Sequence, residues 1–293
     1  MTDKRNLAAT LERGATIEPI PLALARADWA RVREVYGRRP YGTAPLLTAP
    51  DGNAKISKTT LPAYSCALYA GRRHGYNVCP NAGDCEGLCL GFHAGRNVFQ
   101  DVRNAQAMRT FFLAEYPRSF YTIVADELGR AVRKRRRDTG KRGARIACRL
   151  NAYSDVAHEI AAPFLFERFA KTVQFYDYTK RDPRVRKPPA NYHLTYSADE
   201  RTTSAQVSDH LNNGRNVAVV GRRRKGEPLP VSIYPIIDGD ITDARWTDPR
   251  GTIVHLSLKG RGVDRTSPFL RDDLLGLANA VTVLEISPRR VSS

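Results

Sequence analysis

The stretch that decides the fold reads Ala144-Arg-Ile-Ala-Cys-Arg-Leu-Asn151, then Val156 through Phe169, then Val173-Gln-Phe-Tyr-Asp-Tyr178. The outer pieces are short apolar runs of strand length, and the middle piece reads as a helix. Strand, helix and strand in that order make a parallel crossover unit. Working outward, Tyr192–Tyr196 and Val217–Val220 add strands, with a helix around Thr203–Asn212 between them. Ser232 to Leu258 carries three strand-like pieces around Ile236-Ile237-Asp238-Gly239-Asp240. On the other side, Asn97–Tyr116 has Val98, Val102, Ala105, Met108, Phe112 and Leu113 near helical spacing, and Phe120–Arg137 follows as a second helix. A third helical stretch covers Leu22–Val35. The expectation is an α/β fold on a parallel sheet, closed into a barrel or left open.

Chemistry in such sheets gathers at the carboxyl-terminal ends of the strands. That rule brings Asn151, Ser154, Asp155, Asp177, Lys180 and Ser197 around one mouth. Asp155 also stands where an N-cap for the helix Val156–Phe169 belongs. Asp177 has apolar neighbours along its strand, so its carboxylate is either paired or catalytic. Asp238 and Asp240 form a further acidic knot with Asp243. Asp-Gly-Asp is first a hairpin turn, and alternatively a carboxylate pair for proton transfer or a hard metal ion. Neither a Walker phosphate loop nor a dinucleotide-binding glycine fingerprint occurs, which argues against an NTPase or a nicotinamide enzyme.

Four of the five cysteines crowd one segment: Cys66, then Cys79-Pro-Asn-Ala-Gly-Asp-Cys85-Glu-Gly-Leu-Cys89-Leu-Gly-Phe-His93. Gly83, Gly87 and Gly91 allow the tight folding that converging ligands need. Cys66, Cys79, Cys85 and Cys89 are the candidate metal ligands, for zinc or alternatively an iron–sulfur cluster. On a helix, Cys85, Cys89 and His93 would share one face. The competing reading is buried, inert thiols, and it is preferred for Cys148.

The formal charge is +17, and it is clustered. Arg130 to Arg145 carries one basic run, including Arg133, Arg135, Arg136 and Arg137; Arg181 to Lys187 carries a second, and Arg222, Arg223 and Arg224 with Lys225 a third. Solvated loops would mix both signs, whereas these clusters hold few acids, so nucleic acid is the expected partner. No apolar run approaches the roughly 18 residues of a membrane helix, and no leader is read at the N-terminus, so a cytoplasmic protein without membrane contact is expected. The organisation reads as an N-terminal arm (1–50), a Cys-rich metal-binding segment (51–96), a catalytic core (97–260) and a C-terminal extension (261–293).

The Cys79–Cys89 stretch, Arg149-Leu-Asn-Ala-Tyr-Ser-Asp155, Gln174-Phe-Tyr-Asp-Tyr-Thr-Lys180, Asn191-Tyr-His-Leu-Thr-Tyr-Ser197 and Val217-Ala-Val-Val220 resemble, in that order, the phage and plasmid gene product eighty-eight family, from about Asn53 to Gly260. The resemblance implies a phage gene and a layout similar to a TIM-type or partial β/α barrel, with the Cys-rich metal-binding insertion near the N-terminal half. Two barrel groups are similar. The tRNA-guanine and 7-deazaguanine DNA transglycosylases imply base exchange, with Asp155 and Asp177 as catalytic carboxylates and zinc on the cysteines. Their partners would be nucleic acid, DNA before tRNA, and a free deazapurine base. Tyr153, Tyr176 and Tyr178 would stack on the extruded base. The radical S-adenosylmethionine group implies a three-cysteine iron–sulfur loop early in the barrel, although its spacing differs from the five-then-three spacing here. A third reading is a non-enzymatic DNA-binding protein shaped by zinc.

Overall fold

The computed structural model describes residues 6–37, 45–50, 61–72, 74–260 and 262–276. The apolar runs form one parallel sheet of β1 (Ala63–Ser65), β2 (Ile146–Arg149), β3 (Val173–Thr179), β4 (Tyr192–Ser197), β5 (Val217–Gly221), β6 (Ile236–Asp238) and β7 (Ile253–Ser257). The strand order is β1-β2-β3-β4-β5-β7-β6, and every neighbouring pair is parallel. All seven carboxyl ends therefore face one way. The central strands are buried on both faces, as parallel strands covered by helices must be.

The sheet is open, and the described residues do not close the TIM-type ring. Two features prevent closure. β7 inserts between β5 and β6, leaving β6 as an edge. At the other edge Thr48 exchanges backbone hydrogen bonds of 2.7 and 3.1 Å with Ser65, occupying the side of β1 that a closing strand would need.

The helices are α1 (Leu7–Arg13), α2 (Leu22–Val35), α3 (Leu90–His93), α4 (Gln100–Glu115), α5 (Pro117–Thr139), α6 (His158–Ala161), α7 (Pro163–Arg168), α8 (Pro183–Arg186) and α9 (Ser204–Asn212). The first 37 residues include part of the principal core: Leu7, Leu11 and Trp29 are buried in it, with the Trp29 ring 4.8 Å from that of Phe112. α5 begins with Pro117 at its first turn, where a missing N–H costs nothing, and ends at Gly140 with φ of 65°.

Three expectations are corrected. The helix from Val156 to Phe169 breaks into α6 and α7, because Pro163 cannot donate to the preceding turn and Ala162 leaves helical geometry at φ −139°. Asp238-Gly239-Asp240 is no hairpin: β6 and β7 run parallel, so the chain crosses over between them. Between Ser232 and Leu258 two strands form rather than three. The interval 51–60 and most of the expected C-terminal extension (277–293) lie outside the described residues.

Candidate functional site

A cavity of about 380 Å³ opens at the carboxyl-terminal edge of the sheet. Each strand exit contributes to it: Arg149 and Asn151 after β2, Tyr178 and Lys180 from β3, Ser197 from β4, Val220 from β5, and Ser257 and Lys259 from β7. The loop after β1 supplies Cys79, Cys85 and Cys89, and Phe269 comes from the C-terminal segment. Of the six mouth residues expected from strand exits, five line the cavity; Asp177 does not.

The cysteine set divides. Cys66 continues the β1–β2 pairing, donating its N–H to Arg149 O at 2.8 Å, and its side chain is 1% exposed in the main core. Burial pushes its thiol up to about 12. Cys148 is fully buried beside it in the same core. The other three gather at the cavity. Cys79 approaches Tyr153 O with its Sγ at 3.3 Å; Cys85 sits in a 3-10 turn, Gly83–Glu86; Cys89 caps α3 by accepting the Gly91 N–H on Sγ at 3.4 Å. The single helix face expected for Cys85, Cys89 and His93 is not formed, because the chain between Glu86 and Leu90 leaves the helix. Burial raises the Cys79 and Cys85 thiols above their ordinary range. Among the described residues no three Cys, His, Asp or Glu side chains converge tightly enough to hold a single metal ion.

The two expected catalytic carboxylates are placed differently. Asp155 reaches the cavity wall and does not cap the helix; its Oδ2 accepts the Lys180 N–H at 3.0 Å and its Oδ1 faces Arg186 at 3.3 Å. Its own N–H donates to Val78 O at 2.8 Å, binding the β2 exit to the cysteine loop. Asp177 is 0% exposed. One oxygen accepts the Asn151 N–H and the other the Tyr192 hydroxyl, both at 2.9 Å. Burial pushes its carboxyl up to about 7, against the pull of Arg149 and these donors. Asp177 thus braces β2, β3 and β4 from beneath the cavity.

Asp238 and Asp240 form a charge-paired knot. Arg223 is 2.8 Å from Asp238 and 3.5 Å from Asp240, while Lys259 holds Asp240 at 2.5 Å. Arg223 is therefore withdrawn from any phosphate-binding surface, being 8% exposed. Arg222 is exposed but tied to Asp272 at 3.2 Å, and Arg224 is exposed. In the second basic cluster Arg186 is sealed against Glu159 at 2.5 and 2.7 Å. Arg133, Arg136 and Arg137 are exposed and Arg135 half-buried, but α5 leads into the amino-terminal end of β2, so they lie at the edge opposite the cavity.

Sequence reading passed over Arg149 and the exit of β7, though the strand-exit rule would have found both. Arg149 lies on the cavity wall, bonded to Asp243 at 2.9 Å with its guanidinium 5.0 Å over the Tyr178 ring. Tyr153 and Tyr178 line the cavity, whereas Tyr176 is buried against Trp246 at 4.8 Å. Three polar atoms of lining residues are buried without a hydrogen-bond partner: Lys180 Nζ, Tyr178 Oη and Ser257 Oγ. Unpaired buried polar atoms are costly and collect where a ligand completes them. The lining charges balance, with Glu86, Asp155 and Asp243 against Arg149, Lys180 and Lys259.

No described helix is long and apolar enough to cross a membrane. No curated protein and no solved structure matches the chain. Residues 45–272, which span every strand and every cavity-lining residue, match the gene product 88 family, and the chain belongs to that family.

Proposed function

We propose that this protein is an iron–sulfur enzyme of the radical S-adenosylmethionine type, built on a partial β/α barrel. Cys79, Cys85 and Cys89 hold the cluster, and the adjoining cavity takes the sulfonium co-substrate. One observation carries the reading: these three cysteines line one cavity at the strand exits, while Cys66 and Cys148 are buried in the core.

The donor set favours a cluster over a lone zinc ion. Tetrahedral zinc with bonds of about 2.3 Å draws its sulfurs to roughly 3.8 Å of one another. The fourth expected ligand, Cys66, is committed to the core, and no such convergence occurs among the described residues. A multi-iron cluster spreads its thiolates over a larger body and accepts three protein ligands with one iron left for substrate. When bound, it supplies single electrons to the molecule beside it.

The remaining roles fall to the chain. Lys180 offers its ammonium to the carboxylate of an amino-acid group, and the Ser257 and Tyr178 hydroxyls stand by to complete polar contacts. The Tyr153 ring provides a face for the adenine. Phe269 and Leu258 help keep water from the reacting groups. The cavity volume falls within the range of small-molecule sites.

Asp155 at the cavity wall supports a second reading, base exchange through a carboxylate nucleophile, with a deazapurine entering the cavity. Its two oxygens are already held by Arg186 and Lys180, which makes it the weaker one. Mass spectrometry of nucleosides from DNA incubated with the protein and a free deazapurine tests it directly.

The deciding experiment is anaerobic reconstitution with ferrous iron and sulfide. Wild-type protein should become brown and retain several irons per chain; Cys79→Ser, Cys85→Ser and Cys89→Ser should each lose most of that iron. Cys148→Ser should keep it. Stoichiometric zinc with no iron uptake, or iron that survives all three cavity substitutions, overturns the proposal.

A further inference from the structure

Because all seven strands are parallel, the loops that enter them share the edge opposite the cavity. The positive charge is concentrated there. Between Arg130 and Arg145 the chain carries nine basic residues and one acid, Asp138. This run covers the last turns of α5 and the connection into the amino end of β2. Arg130 is paired with Asp126 at 3.1 Å and Lys134 with Asp138 at 2.7 Å. Arg133, Arg136, Arg137, Lys141 and Arg142 have no carboxylate partner among the described residues, and all five are exposed. The neighbouring entries add to them: Arg168 and Lys171 before β3, Lys187 before β4 and Arg250 before β7 are exposed too.

A favourable helix dipole explains a base or two in the last turn of α5, worth about 0.3–1 kcal/mol each. It does not explain a field gathered from four separate strand entries. Such a field repels itself and is maintained where a polyanion neutralises it.

We infer that the amino-terminal edge of the sheet, centred on the end of α5, is a docking surface for the phosphate backbone of nucleic acid. Its contacts are with phosphates and carry no base sequence. The surface and the cavity stand roughly 20 Å apart, the length of a strand such as β3 at about 3.3 Å per residue. Nucleic acid held there does not enter the cavity, so the cavity's ligand is a separate, smaller molecule. This inference is independent of the iron–sulfur reading.

An anionic membrane is the other polyanion a basic helix can meet, but membrane-surface helices insert apolar side chains beside their bases. The apolar residues of α5 point inward, with Leu128, Ala131 and Val132 buried. None of the large exposed hydrophobic residues lies between Arg130 and Arg145.

The test uses the full chain, a short random-sequence DNA duplex with a fluorescent label, and phosphatidylserine vesicles. A triple variant, Arg133→Gln with Arg136→Gln and Arg137→Gln, is compared with a cavity-edge control, Arg224→Gln with Lys225→Gln. The triple variant should bind the duplex at least tenfold more weakly at moderate salt, with the log–log salt slope reduced by about three. The control should match wild type, and both should melt as wild type does. Weakening by the control but not by the triple variant, absence of duplex binding by wild type, or vesicle binding as tight as duplex binding overturns the inference.

Discussion

The Lys180 ammonium lies 4.5 Å from the centre of the Phe269 ring and has no hydrogen-bond partner. A cation resting on an aromatic face satisfies part of its electrostatic demand and leaves its donors for a ligand. The main-chain N–H of the same residue is fixed by Asp155, so the side chain starts from a rigid point at the exit of β3.

Replacing Lys180 by Met keeps most of the stem's packing and removes the charge. A charge-assisted hydrogen bond is worth about 1.5–3 kcal/mol, so affinity for S-adenosylmethionine should fall roughly 10- to 150-fold. Lys180→Arg should recover part of it. Equilibrium dialysis on the reconstituted protein reads the outcome, and unchanged affinity would leave the ammonium a packing group only.

Gly91 shows how closely the cysteine loop is packed. A Cβ placed there would stand 2.8 Å from the Ala70 Cβ, 3.3 Å from Tyr153 Cγ and 3.4 Å from Cys89 Sγ. The Ala70 Cβ cannot retreat without its backbone. Gly91→Ala should therefore cost about 1–3 kcal/mol and lower iron retention without touching a ligand. Gly87→Ala is the matched comparison, since its Cβ would meet only Asp84 O at 3.6 Å in right-handed helical geometry. Equal iron content in the two variants would sink the packing argument.

The strands were legible because parallel strands buried on both faces read as unbroken apolar runs, and β2 to β5 fall within a residue or two of the runs that announced them. β1 was not: three residues, Ala63–Ser65, carry no period. The open edge was equally hidden, since it depends on β7 pairing with β5 and on Thr48 reaching Ser65, both long-range choices. At the site, residue type and strand exit pointed to Asn151, Asp155 and Lys180. Spacing could not separate Cys66 from its neighbours, because what removes it from the cavity is the side chain's direction at the end of β1. The basic runs were visible as sequence, but which were already neutralised, as Arg186 by Glu159, became apparent only in three dimensions.

Arg186 and Glu159 form a two-bonded ion pair with side chains 0% and 4% exposed. Removing one partner strands the other's charge in a dry interior. Glu159→Gln should cost about 3–5 kcal/mol, whereas Arg186→Met with Glu159→Leu should recover most of it. Urea unfolding reads this as a shifted midpoint with an unchanged slope. A single substitution costing under about 1 kcal/mol would mean that water reaches the pair.

Asp177 makes the protein's stability depend on pH in the direction opposite to a salt-bridged carboxylate. Its folded-state value is raised to about 7 by burial, from about 3.9 in an unfolded chain. Between those values the native state binds the proton and the unfolded state does not. The contribution is therefore fully present below pH 4 and is lost as pH climbs to 7, by roughly 2–4 kcal/mol. Asp177→Asn preserves the shape and an acceptor for the Asn151 N–H, and its amide can donate to the Tyr192 oxygen. The difference in unfolding free energy between wild type and variant should shift in the variant's favour across pH 4 to 7 and stay level above it. Parallel stability curves over that window would show that Asp177 is ionised in the fold throughout, held charged by Arg149 and its two hydrogen-bond donors.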